Sequence, residues 1–411
     1  MVTFIRACLL ISVTASLASV FLSGVFLGLA LLAWLYQSFS SRRLQLEWPG
    51  YFPVVIVFVL AALLSIVLSE APLESIRYIR KFVHLFAIVL VFTWFDRRWV
   101  RLTIKVVFAI AGLSAIVGIV QYFILNKVEL LDRTTGLMSH WMTFAGQMMI
   151  VSVVLAAWLC SFYFRGTKAG EEAQARFGLH WFWAAVLPLT VLALVLSMTR
   201  SAWVGLMLGM MLVATVRNYR LAIAATVPLI VLIWLFLPAR FHERLMSSFD
   251  PQDTTNRVRA ELWTTGINII KSHPYTGIGP RMVPRTFERY RNSHEFPDWA
   301  YQHLHNNLIQ IAAEMGILGL VTWLGIWVKL AWDQASFLRT ARISQDRLLF
   351  ATALGALAAL AAFLAAGLFE YNFGDSEVVS LLLFVVTSPY ICKRTPLQDR
   401  SKLECALSTH G

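Results

Sequence analysis

The stretch His303-Leu304-His305-Asn306-Asn307-Leu308-Ile309-Gln310-Ile311-Ala312-Ala313-Glu314-Met315-Gly316-Ile317-Leu318-Gly319 sets two imidazoles at the mouth of an apolar segment, directly after a long polar loop. Imidazole is the side chain whose ordinary pKa lies near neutrality, so it exchanges protons where others cannot. Six arginines crowd positions 257–291 of that loop: Arg257, Arg259, Arg281, Arg285, Arg289 and Arg291. Guanidinium groups grip phosphate oxygens in bidentate fashion. Histidines facing such a loop point to acid–base chemistry on an anionic, lipid-linked substrate.

A helix beginning near His303 would carry Ala312, Gly316 and Gly319 within about 40° of His305, with Glu314 opposite and His303 about 200° away. Small residues in such a stripe let a second helix approach closely. The helix N-terminus adds a favourable end for negative charge. Glu314 lies too deep for solvent, so it is expected to pair or hydrogen-bond within the bundle.

The sequence Met198-Thr199-Arg200-Ser201-Ala202-Trp203 places an arginine between two apolar segments. At the bilayer centre that charge would cost about 2.5–3.5 kcal/mol, which predicts a tight turn at the interface. Ser201 is the expected N-cap of the following helix, so that Arg200 and free backbone N–H groups converge on one anion site. A diphosphate would need two or more arginines from different segments. Arg289 and Arg291 read as a basic surface facing anionic lipid.

The elements that hold these residues belong to a membrane. Hydrophobic residues make up 58% of the 411-residue chain and charged ones 14%, against about 25% charged in soluble domains. Apolar runs near 4–20, 21–38, 51–69, 82–95, 102–124, 142–163, 181–198, 201–216, 221–238, 306–331, 348–368 and 375–391 predict about twelve transmembrane helices. The run after Arg6 resembles a signal peptide but continues past residue 30, so it reads as a retained helix. The expected fold is an all-α polytopic membrane protein. Its division is 1–238 for helices one to nine, 239–305 for a long, partly helical periplasmic loop, 306–391 for helices ten to twelve, and 392–411 for a cytoplasmic tail. Residues 257–271 are expected to form an amphipathic helix within the loop.

Orientation follows from the short loops. Arg42, Arg43, Arg97, Arg98, Arg101, Arg165, Lys168, Arg176, Arg217, Arg220, Arg339, Arg342, Arg347, Lys393 and Arg394 stand against Arg77, Arg80, Lys81, Lys127, Arg133 and Arg200, fifteen to six. Both termini are therefore expected in the cytoplasm, with the long loop outside the cytoplasmic membrane. The net charge of +12 is explained by these loops, and no aromatic-plus-basic motif suggests nucleic acid. Cys8, Cys160, Cys392 and Cys405 show no ligand spacing. With no phosphate-binding Gly-rich loop, and no Asp-x-Asp on an outer loop, the first of which offers only Glu70 and Glu74, neither metal nor cofactor is expected.

Taken together, Thr199-Arg200-Ser201, then Arg259-Ala260-Glu261-Leu262-Trp263 leading into Pro274-Tyr275-Thr276-Gly277-Ile278-Gly279, then His305 through Gly319, resemble the motif series of the O-antigen ligase/polymerase superfamily. Arg133-Thr134-Thr135-Gly136-Leu137-Met138-Ser139-His140 is a weaker match, and no chemistry is assigned to Arg133. The resemblance runs from about residue 130 to 320. It implies a GT-C-like membrane fold and metal-independent, inverting transfer of glycan from undecaprenyl diphosphate. Within the superfamily the chain is most similar to the ligases, whose acceptor is a sugar hydroxyl of lipid A–core; the O-antigen polymerase shares the donor and differs in the acceptor. Carried over by motif, His305 is the general base, His303 a secondary candidate, and Arg200, Arg259, Arg281 and Arg285 the donor-diphosphate residues. A lipid-linked glycan transporter or flippase is the rival of another class. It would predict internal repeats and ionisable residues near the midplane, whereas the ionisable residues here gather at one face.

Overall fold

The computed structural model describes residues 1–127, 132–162, 173–216, 239–292 and 302–394, and the regular elements among these are all helical. In chain order they are α1 (Val2–Ala15), α2 (Val20–Ser41), α3 (Phe52–Val67), α4 (Pro72–Ser75), α5 (Phe82–Trp94), α6 (Arg97–Phe123), α7 (Trp141–Ser161) and α8 (Ala173–Leu196). They continue with α9 (Arg200–Val216), α10 (Ala239–Met246), α11 (Thr254–Ser272), α12 (Val283–Tyr290), α13 (Asn307–Ser344), α14 (Arg347–Ala366) and α15 (Ser376–Lys393). A 3-10 turn, Ile76–Lys81, leads into α5.

Eleven of the twelve expected apolar segments coincide with helices; the twelfth, 221–238, lies outside the described residues. Six helices are long and apolar enough to cross a membrane: α2, α6, α7, α13, α14 and α15. Val2–Ala15, Phe52–Val67, Phe182–Leu196 and Arg200–Val216 are shorter apolar helices. The chain is a multi-pass helical membrane protein, and the described helices establish fewer spans than twelve. The break between the first two helices falls at residues 16–19, not at 20/21. Ser19 fixes it by accepting a hydrogen bond from Leu22 N, the N-cap geometry. α13 runs on past the expected 331 to Ser344, helped by the Lys329–Asp333 ion pair at 2.8 Å and by Gln334 donating to Val386 O.

The core is built where side chains are small. α14 turns Ala351, Ala353, Ala356, Ala358, Ala359 and Ala362 inward, all almost fully buried, so α7 and α15 can lie close against it. α2 is peripheral, with Phe21 and Phe39 exposed, as a lipid-facing helix should be. At one end of the bundle, Arg97 bridges Asp346 and the Cys392 carbonyl, while Arg394 bridges Glu47 and the Thr93 and Phe95 carbonyls. At the other end lies the segment 239–292, where α11 covers the expected 257–271 helix with a few residues to spare.

α13 is not continuous. Gly316 has φ 64° and ψ −167°, which breaks the helix near its outer end. The segment Pro274–Gly279 runs into the break and pairs with both halves. Ile278 N and Gly279 N donate to Ala313 O and Glu314 O at 3.1 and 2.9 Å. Ile317 N and Leu318 N donate to Pro274 O and Tyr275 O at 2.8 and 3.3 Å. Ser65 of α3 donates to Thr276 O and Glu314 O, and Ser69 to Ile278 O. A Cβ at Gly316 would collide with the Tyr275 backbone, and one at Gly277 with the Glu314 backbone. The two glycines leave room for one another's chains, and both need positive φ.

Gly316→Ala or Gly277→Ala should therefore lower the melting midpoint of the purified protein by several degrees or prevent its accumulation, since backbone strain of about 1–3 kcal/mol adds to the collision. Gly28→Ala on α2, where a Cβ meets nothing within 4 Å, is the matched control and should leave the midpoint within about a degree. Equal behaviour of the three variants would show that the break does not need its glycines.

Candidate functional site

Amide side chains fix the turn ahead of α13. Leu304 N donates to Gln310 Oε1 at 2.7 Å, and Asn306 caps the helix by accepting from Ile309 N at 3.1 Å. Asn306 also donates to Leu368 O, and Asn307 N to Gly367 O at 2.7 Å. The Asn307 amide group exchanges hydrogen bonds with Asn372 Oδ1 and Phe373 N. These bonds press the α14–α15 connection against the start of α13, and that connection carries Glu370. His305 Nδ1 lies 3.2 Å from Glu370 Oε2, with side chains 21% and 10% exposed. His305 itself has φ 48°, in the left-handed region that residues with a Cβ seldom adopt.

This geometry corrects the helical-wheel expectation. The helix starts at Asn307, so both histidines precede it, and the break at Gly316 interrupts the small-residue stripe. His303 does not point away from His305; the ring centroids are 4.2 Å apart, inclined at 63°. Glu314 is buried as expected, accepting from Arg281 N at 2.7 Å.

Burial works to raise the Glu370 carboxyl, but His305, His303 and Arg259 outweigh it and hold the group at about 2, so it is an anion at neutral pH. Burial, reinforced by His305, pushes His303 down to about 4, so that ring is neutral. A carboxylate facing Nδ1 of His305 favours the tautomer with the proton there, which leaves Nε2 with its lone pair. The pair is thus arranged as a base with its orienting anion.

His305 lines a cleft of about 80 Å³ together with Arg133, Met142, Met198, Thr199, Arg200, Ser201, Arg244, Thr255, Val258 and Arg259. Four arginines from four segments meet there. Arg200 follows a turn in which Met198 has φ 53°. It donates to Ser247 Oγ, Ser248 Oγ and Asn256 Oδ1 at 3.1–3.2 Å and lies 3.7 Å from Asp253. α9 begins at Arg200, so Ser201 stands inside the first turn instead of capping it. Arg133 donates to Met198 O at 3.3 Å and sits over the Trp141 ring. Arg244 is buried, with its Nε unpartnered among the described residues. Burial, then Arg200 and Arg259, bring Arg133 down to about 10. Burial and Arg133 do the same to Arg244, with Asp253 opposing. Burial also lowers Arg259, against the pull of Glu370 and Asp253. All four stay cationic, poorly solvated and mutually repelling, which is a site that favours an anion.

Of the expected residues, His305, Arg200 and Arg259 are brought together, and His303 adjoins them. Arg281 and Arg285 do not line the cleft: the Arg281 N–H is held by Glu314, and Arg285 pairs with Glu74. Arg244 and Glu370 are the residues that sequence reasoning missed, and Arg133, noted there as part of a weak motif match, was given no role. Glu370 had a readable signal, as an acidic residue between two apolar segments on the His305 side. His303, His305 and Glu370 also offer one ligand atom each within 4.8 Å of one another, a spacing that could hold a metal ion. Arg259 beside Glu370 opposes a cation there.

A family model described as O-antigen ligase matches residues 183–324, less than half of the chain, and this likeness to the O-antigen ligase/polymerase superfamily supports a membrane enzyme of that general type. The matched stretch contains Arg200, Arg244, Arg259, His303, His305 and Gly316, and excludes Arg133 and Glu370. No curated protein matches the chain.

A histidine held neutral by burial makes stability depend on pH. His303 has its pKa lowered from 6.5 to about 4, so between those values the unfolded chain binds the proton and the folded protein does not, and stability falls as pH falls. The melting midpoint should therefore decline between pH 7 and pH 5. His303→Gln should flatten part of that decline; an unchanged slope would show that His303 is not held neutral.

Proposed function

We propose that the protein is an O-antigen ligase, transferring polysaccharide from undecaprenyl diphosphate to a sugar hydroxyl of lipid A–core at the periplasmic face of the inner membrane. The observation that carries this reading is the pairing of His305 with buried Glu370 at the edge of a cleft lined by Arg133, Arg200, Arg244 and Arg259. A base beside an anion-binding cleft suits attack by a hydroxyl on a sugar whose leaving group is a diphosphate. The GT-C-like fold and cytoplasmic termini belong to the same proposal.

In the proposed step, Nε2 of His305 takes the proton of the acceptor hydroxyl as its oxygen attacks the anomeric carbon of the donor glycan. The carbon–oxygen bond to the diphosphate breaks, and its electron pair leaves with undecaprenyl diphosphate. Attack opposite the leaving group inverts the anomeric centre. Glu370 stabilises the imidazolium that forms, and the arginines balance the charge that grows on the diphosphate. A positioned general base contributes roughly 10²–10⁴-fold. Every charge the step requires is met by a protein side chain, so neither nucleotide nor metal is called for.

The test is a reaction of purified protein with undecaprenyl-diphosphate glycan and lipid A–core, without nucleotide and in EDTA, where product should form at the full rate. A strict need for added divalent metal would overturn this mechanism. His305→Ala should reduce turnover by at least about 10²-fold without loss of folded protein, and His303→Ala should cost less; the reverse ranking would move the base. Growth of glycan chains from donor alone would identify a polymerase instead.

Arg200→Lys and Arg259→Lys keep the charge but lose the planar fork. Each should weaken donor binding while leaving lipid A–core affinity within about twofold. A loss confined to the acceptor would assign these arginines to the wrong substrate.

A further inference from the structure

Two cations on the same face take no part in the arginine cleft. Lys81 ends the turn Ile76–Lys81. Its Nζ donates to the Gly374 carbonyl at 2.9 Å and lies 5.5 and 5.4 Å from the ring centroids of Tyr78 and Tyr371. Among the described residues no carboxylate comes within ion-pair distance of it, so an ammonium with three donors uses one of them. Arg281 has φ 66°, and its N–H is fixed on Glu314 Oε1. Its exposed guanidinium makes no hydrogen bond or ion pair with another described residue. Left-handed backbone at a residue with a Cβ is strained, and such strain gathers at functional sites.

Ser69 Oγ bonds both Ser75 Oγ at 2.8 Å and Ile278 O at 3.0 Å, so the segment leading to Arg281 lies against the residue that opens the turn ending at Lys81. Burial lowers the Lys81 ammonium most, Glu314 opposes, and Arg281 lowers it further, while Asp375 and Glu377 pull the other way. Glu314 and Asp375 have other work. Glu314 is buried against the Arg281 N–H. Asp375 accepts from Thr143 Oγ1 at 2.5 Å and caps α15 through Glu377 N and Val378 N.

The position relative to the base gives the pair its meaning. Tyr371 directly follows Glu370, and its ring centroid is 5.9 Å from that of His303. The order is therefore arginine cleft, His305 with Glu370, His303 with Tyr371, then Lys81. We propose that Lys81 and Arg281 form a second anion subsite, which holds a phosphate carried by the acceptor while the four arginines hold the diphosphate of the donor. This rests on the transferase reading above, and it moves Arg281 from the donor, where the sequence put it, to the acceptor. Two anionic glycolipids on one membrane face repel each other, and separate cationic seats on either side of the base bring both within reach of it. The phosphate could belong to lipid A–core or to a second undecaprenyl-diphosphate glycan.

The test measures binding without turnover, on full-length protein in nanodiscs. Phosphorylated lipid A–core, its enzymatically dephosphorylated form and undecaprenyl-diphosphate glycan are each titrated alone into the wild type, Lys81→Gln, Arg281→Gln and Arg259→Gln. Charge-assisted hydrogen bonds of this kind are worth about tenfold or more in affinity. Lys81→Gln and Arg281→Gln should weaken phosphorylated lipid A–core by that factor while leaving the dephosphorylated form and the donor unchanged; Arg259→Gln should weaken only the donor. Arg281→Gln removes an exposed side chain without a partner, so it keeps the test valid if Lys81→Gln fails to fold. Equal losses for the phosphorylated and dephosphorylated forms, or a loss of donor binding instead, would overturn the subsite. If the wild type ignores lipid A–core but takes up two equivalents of the undecaprenyl-linked glycan, and the two variants remove one of them, the subsite stands and the ligase reading falls.

Discussion

Four backbone hydrogen bonds across the Gly316 break hold the outer end of this protein together. A helix interrupted inside a membrane exposes N–H and C=O groups that lipid cannot satisfy, at several kcal/mol each. The segment Pro274–Gly279 supplies the missing partners, so the external segment and the membrane helix are one unit. Ser65 and Ser69 join α3 to the same junction. Because α11 ends just before this segment and α13 begins just above the break, the junction fixes Arg259 relative to His305. The Gly-x-Gly sequence is thus explained by close backbone packing, with no need for glycine at a phosphate.

The base is held in place before substrate arrives. Its left-handed backbone is maintained by Asn306 and Asn307, whose amides bond to the α14–α15 connection. The same bonds deliver Glu370. One set of contacts therefore sets both the position of the imidazole and the tautomer it adopts. Hydrogen-bonded asparagines, which could pass for simple helix caps, act here as the frame of the dyad.

Much of this was legible in the sequence, because bilayer-length apolar runs and helix-capping residues are local signals. The histidine turn, Arg200, Arg259 and the 257–271 helix could be read for the same reason. What was not legible depended on contacts far apart along the chain. Glu370 lies 65 residues beyond His305, and no periodicity links them. Arg244 looked like an ordinary loop charge, and Arg133 like a weak motif match without a role, until the fold gathered them round Arg200. The wheel analysis of His305 failed because it assumed an unbroken helix, whereas Asn306 starts α13 later and Gly316 interrupts it. Arg285 was grouped with the donor residues by a loose motif match, but its charge is met by Glu74 of α4, 211 residues away in the chain.

The cluster of Arg133, Arg200, Arg244 and Arg259 also has a thermodynamic cost in the resting state. Guanidinium groups drawn from four separate segments repel one another across a poorly solvated gap, and Asp253 and Glu370 offset that only in part. Without an anion between them the four groups are under electrostatic tension, which small counterions relieve by screening. Raised ionic strength should steady the unliganded protein while it competes with any polyanion for the same charges. Resistance to unfolding and affinity for a diphosphate are then set against each other by salt, and the best buffer for keeping the protein is not the best one for watching it work.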